Sequence, residues 1–283
     1  MPLLCLGSVN LDHTYRVPRI PAPGETVGTL ALTTGLGGKG ANMSVAAARQ
    51  GARVAHAGAV GPDGDWAVAQ LAAEGIDTGP IARVAAPTGH AIIAVAPDGE
   101  NAILVHPGAN RAQDAAAIAR AVEAARPGDW LLLQNETDRQ AETAALARRR
   151  GLRVLYAAAP FDAVATAAVL PHAALLILNA VEAAQLGRAG ITPACPMVVT
   201  KGAGGAFWHE PGQTPFHVPA FPATPVDTTG AGDCFTGTLA AALDAGLPPA
   251  QAMRRAAAAA AIQITRPGAA PAMPTAAETD ALL

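Results

Sequence analysis

The chain has 283 residues, a net charge of −3 and 51% apolar residues, with three cysteines and seven histidines. That length suits one large α/β domain, and the apolar content is enough for a sizeable core. No apolar run approaches the ~20 residues of a membrane span, no basic cluster suits nucleic acid, and Cys5, Cys195 and Cys234 are too scattered for a disulfide framework or a zinc site, which points to a reducing, cytoplasmic compartment.

The start, Met1-Pro2-Leu3-Leu4-Cys5-Leu6, has no basic n-region and too short an apolar stretch for a signal peptide. It reads as a first buried strand ending at Gly7-Ser8-Val9-Asn10. Residues 14–34 are extended, because Pro18, Pro21 and Pro23 exclude a helix. A helix follows over 41–50, then a strand over 54–60, then a helix capped by Asp63 and running to about Glu74. Strands over 91–96 and 102–106 flank the hairpin signal Pro97-Asp98-Gly99-Glu100. From there helices over 112–125, 139–149 and 162–170 alternate with strands over 130–134, 153–157 and 175–178. Such alternation implies a mostly parallel central sheet with helices on both faces. Arg148-Arg149-Arg150 closes one of these helices, where cations suit the C-terminus. A strand over 197–199 leads into a glycine turn, and helices over 231–245 and 249–263 follow. The alanine run 256–261 reads as buried helix, since alanine is the best helix former and permits close packing. No linker or repeat divides 1–283, which is read as a single domain. The early extended segments, about 12–35 and 88–108, do not alternate with helices and are expected to form a small separate β-sheet, a lid over a site at the C-terminal edge of the main sheet.

Three glycine-rich segments bear on chemistry. Gly35-Leu36-Gly37-Gly38-Lys39-Gly40 matches a dinucleotide fingerprint literally, but it follows a proline-interrupted stretch and lacks the acid expected ~20 residues on. It is no Walker A motif either, because Gly40 stands where Ser or Thr is required. Thr200-Lys201-Gly202-Ala203-Gly204-Gly205 is explained equally well by a turn between strands and by nucleotide contact. Asp227-Thr228-Thr229-Gly230-Ala231-Gly232-Asp233 opens a helix, where the N–H groups of Gly230, Ala231 and Gly232 can converge on an anion. A carboxylate beside such a cradle is placed to take the proton of an attacking hydroxyl, and phosphoryl transfer needs both parts.

Gly7-Ser8-Val9-Asn10-Leu11-Asp12, Gly24-Glu25-Thr26, Gly37-Gly38-Lys39-Gly40-Ala41-Asn42 and Asp227–Asp233 together resemble the ribokinase-like, phosphofructokinase-B-type carbohydrate kinases, in order and at nearly the same spacing. The resemblance runs from the first strand to Arg266-Pro267-Gly268-Ala269. It implies the ribokinase-like α/β fold and the transfer of a phosphoryl group from ATP to a free sugar, with D-ribose phosphorylated at O5 as the leading case. Asn10, Asp12, Gly38, Lys39, Asn42 and Glu136 would then line the sugar pocket, and Asp233 would be the base. Asn179, Thr200, Lys201, Gly202, Gly205 and Gly232 would meet the nucleotide. Glu182, in Asn179-Ala180-Val181-Glu182, would organise Mg²⁺ through water. Asp227, Thr229, Gln263, Arg266 and Gly268 stand at positions that hold a monovalent cation, K⁺, mainly through backbone oxygens. The open edges of lid strands would favour a homodimer.

Three departures qualify the match. Tyr156-Ala157-Ala158-Ala159-Pro160 replaces a segment that usually reads Asn-Pro-Ala-Pro, the 179–200 segment has room for one short helix only, and Ala272 stands where relatives often have Ser. Rival readings are a same-family kinase for deoxyribose, fructose, a nucleoside or a sugar phosphate, a non-catalytic sugar sensor, and a dehydrogenase.

Overall fold

The structure, a computed structural model, describes residues 3–283; Met1 and Pro2, read above with the first strand, lie outside the described residues. In chain order the elements are β1 (Leu3–Leu6), β2 (Asn10–Arg16), β3 (Ala31–Gly37), α1 (Lys39–Arg49), β4 (Val54–Val60), α2 (Asp65–Ala73), β5 (Ile81–Arg83), β6 (Gly89–Val95) and β7 (Asn101–His106). Then come α3 (Ala115–Ala124), β8 (Trp130–Leu133), α4 (Gln140–Arg149), β9 (Arg153–Ala157), α5 (Ala163–Val169), β10 (Leu175–Asn179), α6 (Ala180–Arg188) and β11 (Met197–Thr200). The last are β12 (Ala206–His209), β13 (Phe216–Val218), α7 (Ala231–Asp244), α8 (Pro249–Gln263) and α9 (Ala276–Asp280).

Among the described residues the strands make a nine-stranded sheet, ordered β13-β12-β11-β10-β9-β8-β1-β4-β5, and a separate four-stranded sheet, ordered β3-β2-β6-β7. The large sheet is parallel from β5 to β11, and its β12–β13 edge is antiparallel. Its central strands are largely apolar because both faces are covered. Leu3 and Cys5 of β1, Leu132 of β8, Leu155 of β9 and Ile177 of β10 point to the core under α1, α7 and α8. Their neighbours Leu4, Leu6, Leu131, Leu133, Val154 and Leu176 point to the core under α3, α4 and α5. Each fully buried leucine contributes about 1.5–3 kcal/mol, so these central strands anchor everything their C-terminal ends carry.

The alanine run is buried helix as expected, with Ala256, Ala258 and Ala259 inaccessible to solvent, and small side chains bring α8 close against α7. One expectation fails locally. Asp63 does not cap α2, whose N-cap is Gly64. Its Oδ1 instead accepts from the Thr88 amide at 2.8 Å and from Thr88 Oγ1 at 2.7 Å. Two converging donors outcompete one helix amide, and the bond ties the β4–α2 turn to the start of the small sheet.

Candidate active site

The parallel strands stop along one edge, and predicted residues follow three of those stops, Glu136 after β8, Glu182 after β10 and Thr200 at the end of β11, with Ser8 after β1 and Ala159 after β9 beside them. This is the edge where open α/β sheets bind ligands. Two backbone approaches shape it. Gly7 and Gly40 pack Cα to Cα, so a Cβ on either would overlap the other's backbone. That contact seats the N-terminus of α1 on the end of β1, with the Ala41 amide donating to the Ser8 carbonyl at 2.9 Å. In the small sheet Asp12 faces Gly35, and Asn10 faces Gly37. A Cβ on Gly37 would overlap the Asp12 carboxylate, so glycine there is what lets Asp12 occupy its place.

The sugar-side residues expected from sequence come together. Glu136 Oε2 accepts from Ser8 Oγ at 2.6 Å and from the Lys39 amide at 2.9 Å. Asn42 Nδ2 donates to Asp233 Oδ2 at 2.9 Å. Asn10 is buried, and its Oδ1 accepts from Asn110 Nδ2 at 2.7 Å. Gly38 caps α1 with φ at 90°. Burial, then the carboxylates of Glu136 and Asp233, push the Asp12 pKa up to about 6. The Lys39 ammonium is held above the usual lysine value by Asp233 first, against the cost of burial, and then by Glu136 and Glu182. Two buried acceptors, Asp12 Oδ1 and Asn42 Oδ1, have no partner. Leaving a buried acceptor unsatisfied typically costs about 1–3 kcal/mol, so this pocket favours a ligand that donates hydrogen bonds.

Asp233 is buried in the first turn of α7, behind the left-handed Gly230. Burial raises its pKa to about 6; Lys39 and Asn42 pull it down, and Glu136 and Glu182 add to the rise. The Gly232 and Asp233 amides lie too early in the helix to find an intrahelical acceptor. The expectation of three free amides needs one amendment, because the Ala231 amide donates to the Thr228 carbonyl at 3.2 Å. Lys39, Asn179, Glu182, Thr200, Thr228 and the Gly230–Asp233 backbone line one cavity. Ala157 and Ala159, from the departing Tyr156–Pro160 segment, put methyl groups on the same wall. Tyr156 itself is buried behind that wall, donating its hydroxyl to Asn135 Oδ1 at 2.5 Å.

Asn179 and Glu182 form a reciprocal capping box on α6: Glu182 Oε2 accepts from the Asn179 amide at 2.7 Å, and Asn179 Oδ1 from the Glu182 amide at 2.9 Å. Burial raises the Glu182 pKa against that backbone bond and Lys39. Among the described residues no cluster of three or more His, Cys, Asp or Glu could cage a metal. A lone carboxylate at the cavity wall fits Mg²⁺ that arrives on phosphates and keeps its water. Thr200 also borders a second, larger cavity of about 550 Å³, reached by Gly202, Gly205, Gly232 and Thr228. The predicted Lys201 does not line it; the ammonium lies 4.5 Å from the Phe207 ring. Residues that the motif reading missed make its apolar walls: Phe221, Pro222 and Ala223 on one side, Phe235, Ala257, Ala260 and Ile264 on the other. Ala257, Ala260 and Ile264 recur at helical spacing, the one signal that could have marked this face. Ser8 and Asn110 were missed as well, because their partners are distant in sequence.

The residues expected around a monovalent cation also converge, yet they do not fit one as they stand. Gln263 Nε2 donates to the Thr229 carbonyl at 2.8 Å and to the Gly268 carbonyl at 3.1 Å. Arg266 turns away, its guanidinium 2.6 Å from Glu278 Oε1.

The sequence profile described as the pfkB family carbohydrate kinase matches residues 2–276. The chain belongs to that family. This family member is 35% identical over 297 residues to the ribokinase of Haemophilus influenzae, covering 98% of this chain and 96% of that one. It is 33% identical over 292 residues to the ribokinase of Bacillus subtilis, covering 98% of each. Its fold superposes on the Arabidopsis thaliana ribokinase solved with ribose and ATP with a TM-score of 0.87, at 27% identity, covering 99% of this chain and 98% of that one. A carbohydrate kinase with a mostly parallel sheet and a small second sheet is what the sequence motifs lead one to expect.

Proposed function

We propose that this carbohydrate kinase transfers the γ-phosphoryl group of ATP to O5 of D-ribose. The observation that carries the reading is the pair of unpartnered buried acceptors, Asp12 Oδ1 and Asn42 Oδ1, beside Lys39 and Asp233. Sugar hydroxyls would donate to them and be held in line for attack, which turns an encounter into a unimolecular step. Asn10, Gly38 and Glu136 complete the pocket, Glu136 by fixing Ser8 and the first turn of α1.

Asp233 takes the proton from the attacking hydroxyl. With a pKa of about 6 it is ionised at neutral pH while remaining a stronger base than an ordinary carboxylate. The amides at the start of α7, Gly230 to Gly232, receive the charge on the transferring phosphoryl group; Ala231 does so by releasing or sharing its long bond to Thr228. Thr200, Gly202 and Gly205 border the larger cavity, whose apolar walls suit a purine base, and Asn179 lies nearer the phosphates. Mg²⁺, when bound, would neutralise charge on the phosphate oxygens, with Glu182 holding it through water. The monovalent cation expected at Asp227, Thr229, Gln263, Arg266 and Gly268 does not enter this proposal, because the Gln263 amide already donates to two of the carbonyls that would hold it.

The four-stranded sheet, which carries most of the expected lid segments of about 12–35 and 88–108 within a single 1–283 domain, acts as the lid that excludes water. Two copies pair through its outer face, where Leu32, Ile92 and Leu104 share the side opposite Asp12 and are 53%, 40% and 70% exposed. Three unpaired cysteines suit a reducing, cytoplasmic setting.

A substrate phosphate would meet the carboxylates of Asp12, Glu136 and Asp233 with only Lys39 to offset them. Arg19 is engaged with Glu25 at 3.1 Å, and Arg16 lies four residues beyond Asp12, about 13 Å along the strand. An ADP-release screen over ribose, deoxyribose, fructose, nucleosides and fructose 6-phosphate tests the assignment. D-ribose is expected to give the highest kcat/KM, and a preference for fructose 6-phosphate would remove ribose while leaving a kinase.

A further inference from the structure

Two loops meet behind the N-terminus of α7. One carries Asp227 and Thr229 into the helix, and the other runs from the end of α8 through Gly268. The Asp227 carboxylate joins them from the amide side, accepting from the Thr229 amide and the Gly268 amide, each at 2.9 Å. Despite some burial, these bonds hold the Asp227 pKa below the usual carboxylate value. Gln263, the last residue of α8 and fully buried, joins the same two loops from the carbonyl side through Nε2. Its Oε1 is buried with no partner. Reversing the amide would set three oxygens against one another, so two carbonyl acceptors fix the NH₂ toward them. Ala272 supplies no hydroxyl nearby, and the Arg266 guanidinium is committed to Glu278.

From this arrangement we infer that the Gln263 carboxamide, covalently tethered to α8, does the work of a monovalent cation by bridging the Thr229 and Gly268 carbonyls, and that turnover is independent of K⁺. The partial positive charge of the NH₂ group faces the same oxygens that a desolvated cation would need, at hydrogen-bond distance. A cation entering between Thr229 and Gly268 would have to displace that group and leave it unpaired in a buried space, which is costly. The bridge is therefore built by the sequence, and the loop that presents Gly230, Gly232 and Asp233 stays ordered without an ion.

The test compares the same protein in chlorides of K⁺, Na⁺ and tetramethylammonium at fixed Mg²⁺, with thermal unfolding and initial rate read in parallel. The wild type is expected to unfold at the same temperature in all three salts, within 1 °C, and to turn over at rates equal within twofold. Gln263→Ala opens the two carbonyls and is expected to unfold several degrees higher in K⁺ than in tetramethylammonium, with a parallel K⁺-specific gain in rate. A wild type that K⁺ stabilises or accelerates beyond those limits overturns the inference, and so does an alanine variant indifferent to K⁺. Should Gln263→Ala fail to yield folded protein, the wild-type comparison decides alone. The rate arm rests on the kinase reading, but the unfolding arm needs no turnover, so a failure to phosphorylate sugar and a failure of the cation substitution are read separately.

Discussion

Replacing Asp233 by Asn should move activity and stability in opposite directions. In the folded protein burial raises this carboxyl from the ordinary 3.8 to about 6. The native state thus binds the proton more tightly than the unfolded chain, and holding Asp233 ionised is a cost that grows as pH rises from about 4 to about 6. A shift of roughly two units at 1.36 kcal/mol each amounts to about 3 kcal/mol at pH 8, falling to about 0.5 kcal/mol at pH 4. Asn keeps the shape and can still accept from Asn42 Nδ2, as Asp233 Oδ2 does at 2.9 Å, but it carries no charge to desolvate. The variant should therefore be the more stable protein at pH 8, by about 6 °C in Tm at roughly 2 °C per kcal/mol, with the gain shrinking toward pH 4.

The same change removes the proposed base, so kcat should fall by about 10²–10⁴, while sugar and nucleotide binding survive. For the wild type, kcat/KM should decline below about pH 6 as Asp233 and Asp12 take up protons. Calorimetric unfolding across pH 4–8, alongside ADP release, reads all of this on one preparation. A variant with near-normal kcat, or a stability difference that does not change with pH, would refute the reasoning.

Two further outcomes follow from the small sheet. Gly37→Ala drives a methyl into the Asp12 carboxylate; the KM for sugar should rise at least tenfold with the KM for ATP nearly unchanged, and equal changes in both would mean a general distortion. Leu104→Lys, on the exposed outer face, should convert a dimer to a monomer in sedimentation with little loss of Tm; a monomeric wild type would remove the proposed pairing.

Much of this fold is written in local pattern. The short apolar runs of β8, β9 and β10 alternate with helices, two of which start behind an acidic cap, Asp114 before α3 and Asp162 before α5. Helices α7 and α8 could be placed almost to the residue, because a glycine opens one and a proline the other. By contrast β5 and β13 have three residues each, too few to show any period, and they exist only because a sheet edge is there to pair with. Asp63 misled for a related reason. Its position before a helix signals a cap, but a threonine 25 residues away offers it two donors, and no local rule sees that.

The two halves of the candidate site were unequally legible because their chemistry is unequal. On the sugar side recognition needs charged and amide groups, and such groups are conspicuous when they fall after strands and beside glycines. Ser8 and Asn110 escaped because they touch other side chains of the pocket, Glu136 and Asn10, across 128 and 100 residues. On the nucleotide side the large cavity is walled by alanine, proline, phenylalanine and isoleucine, residue types that in a sequence mean only core. What makes them a candidate binding surface is what is missing between them. Ala257, Ala260 and Ala261 of α8 stand opposite a proline-rich turn, 219–225, that takes no regular structure and leaves a gap in place of packing. A space between two small-residue faces has no signature in either face alone, so it becomes visible only once α8 and that turn are set side by side.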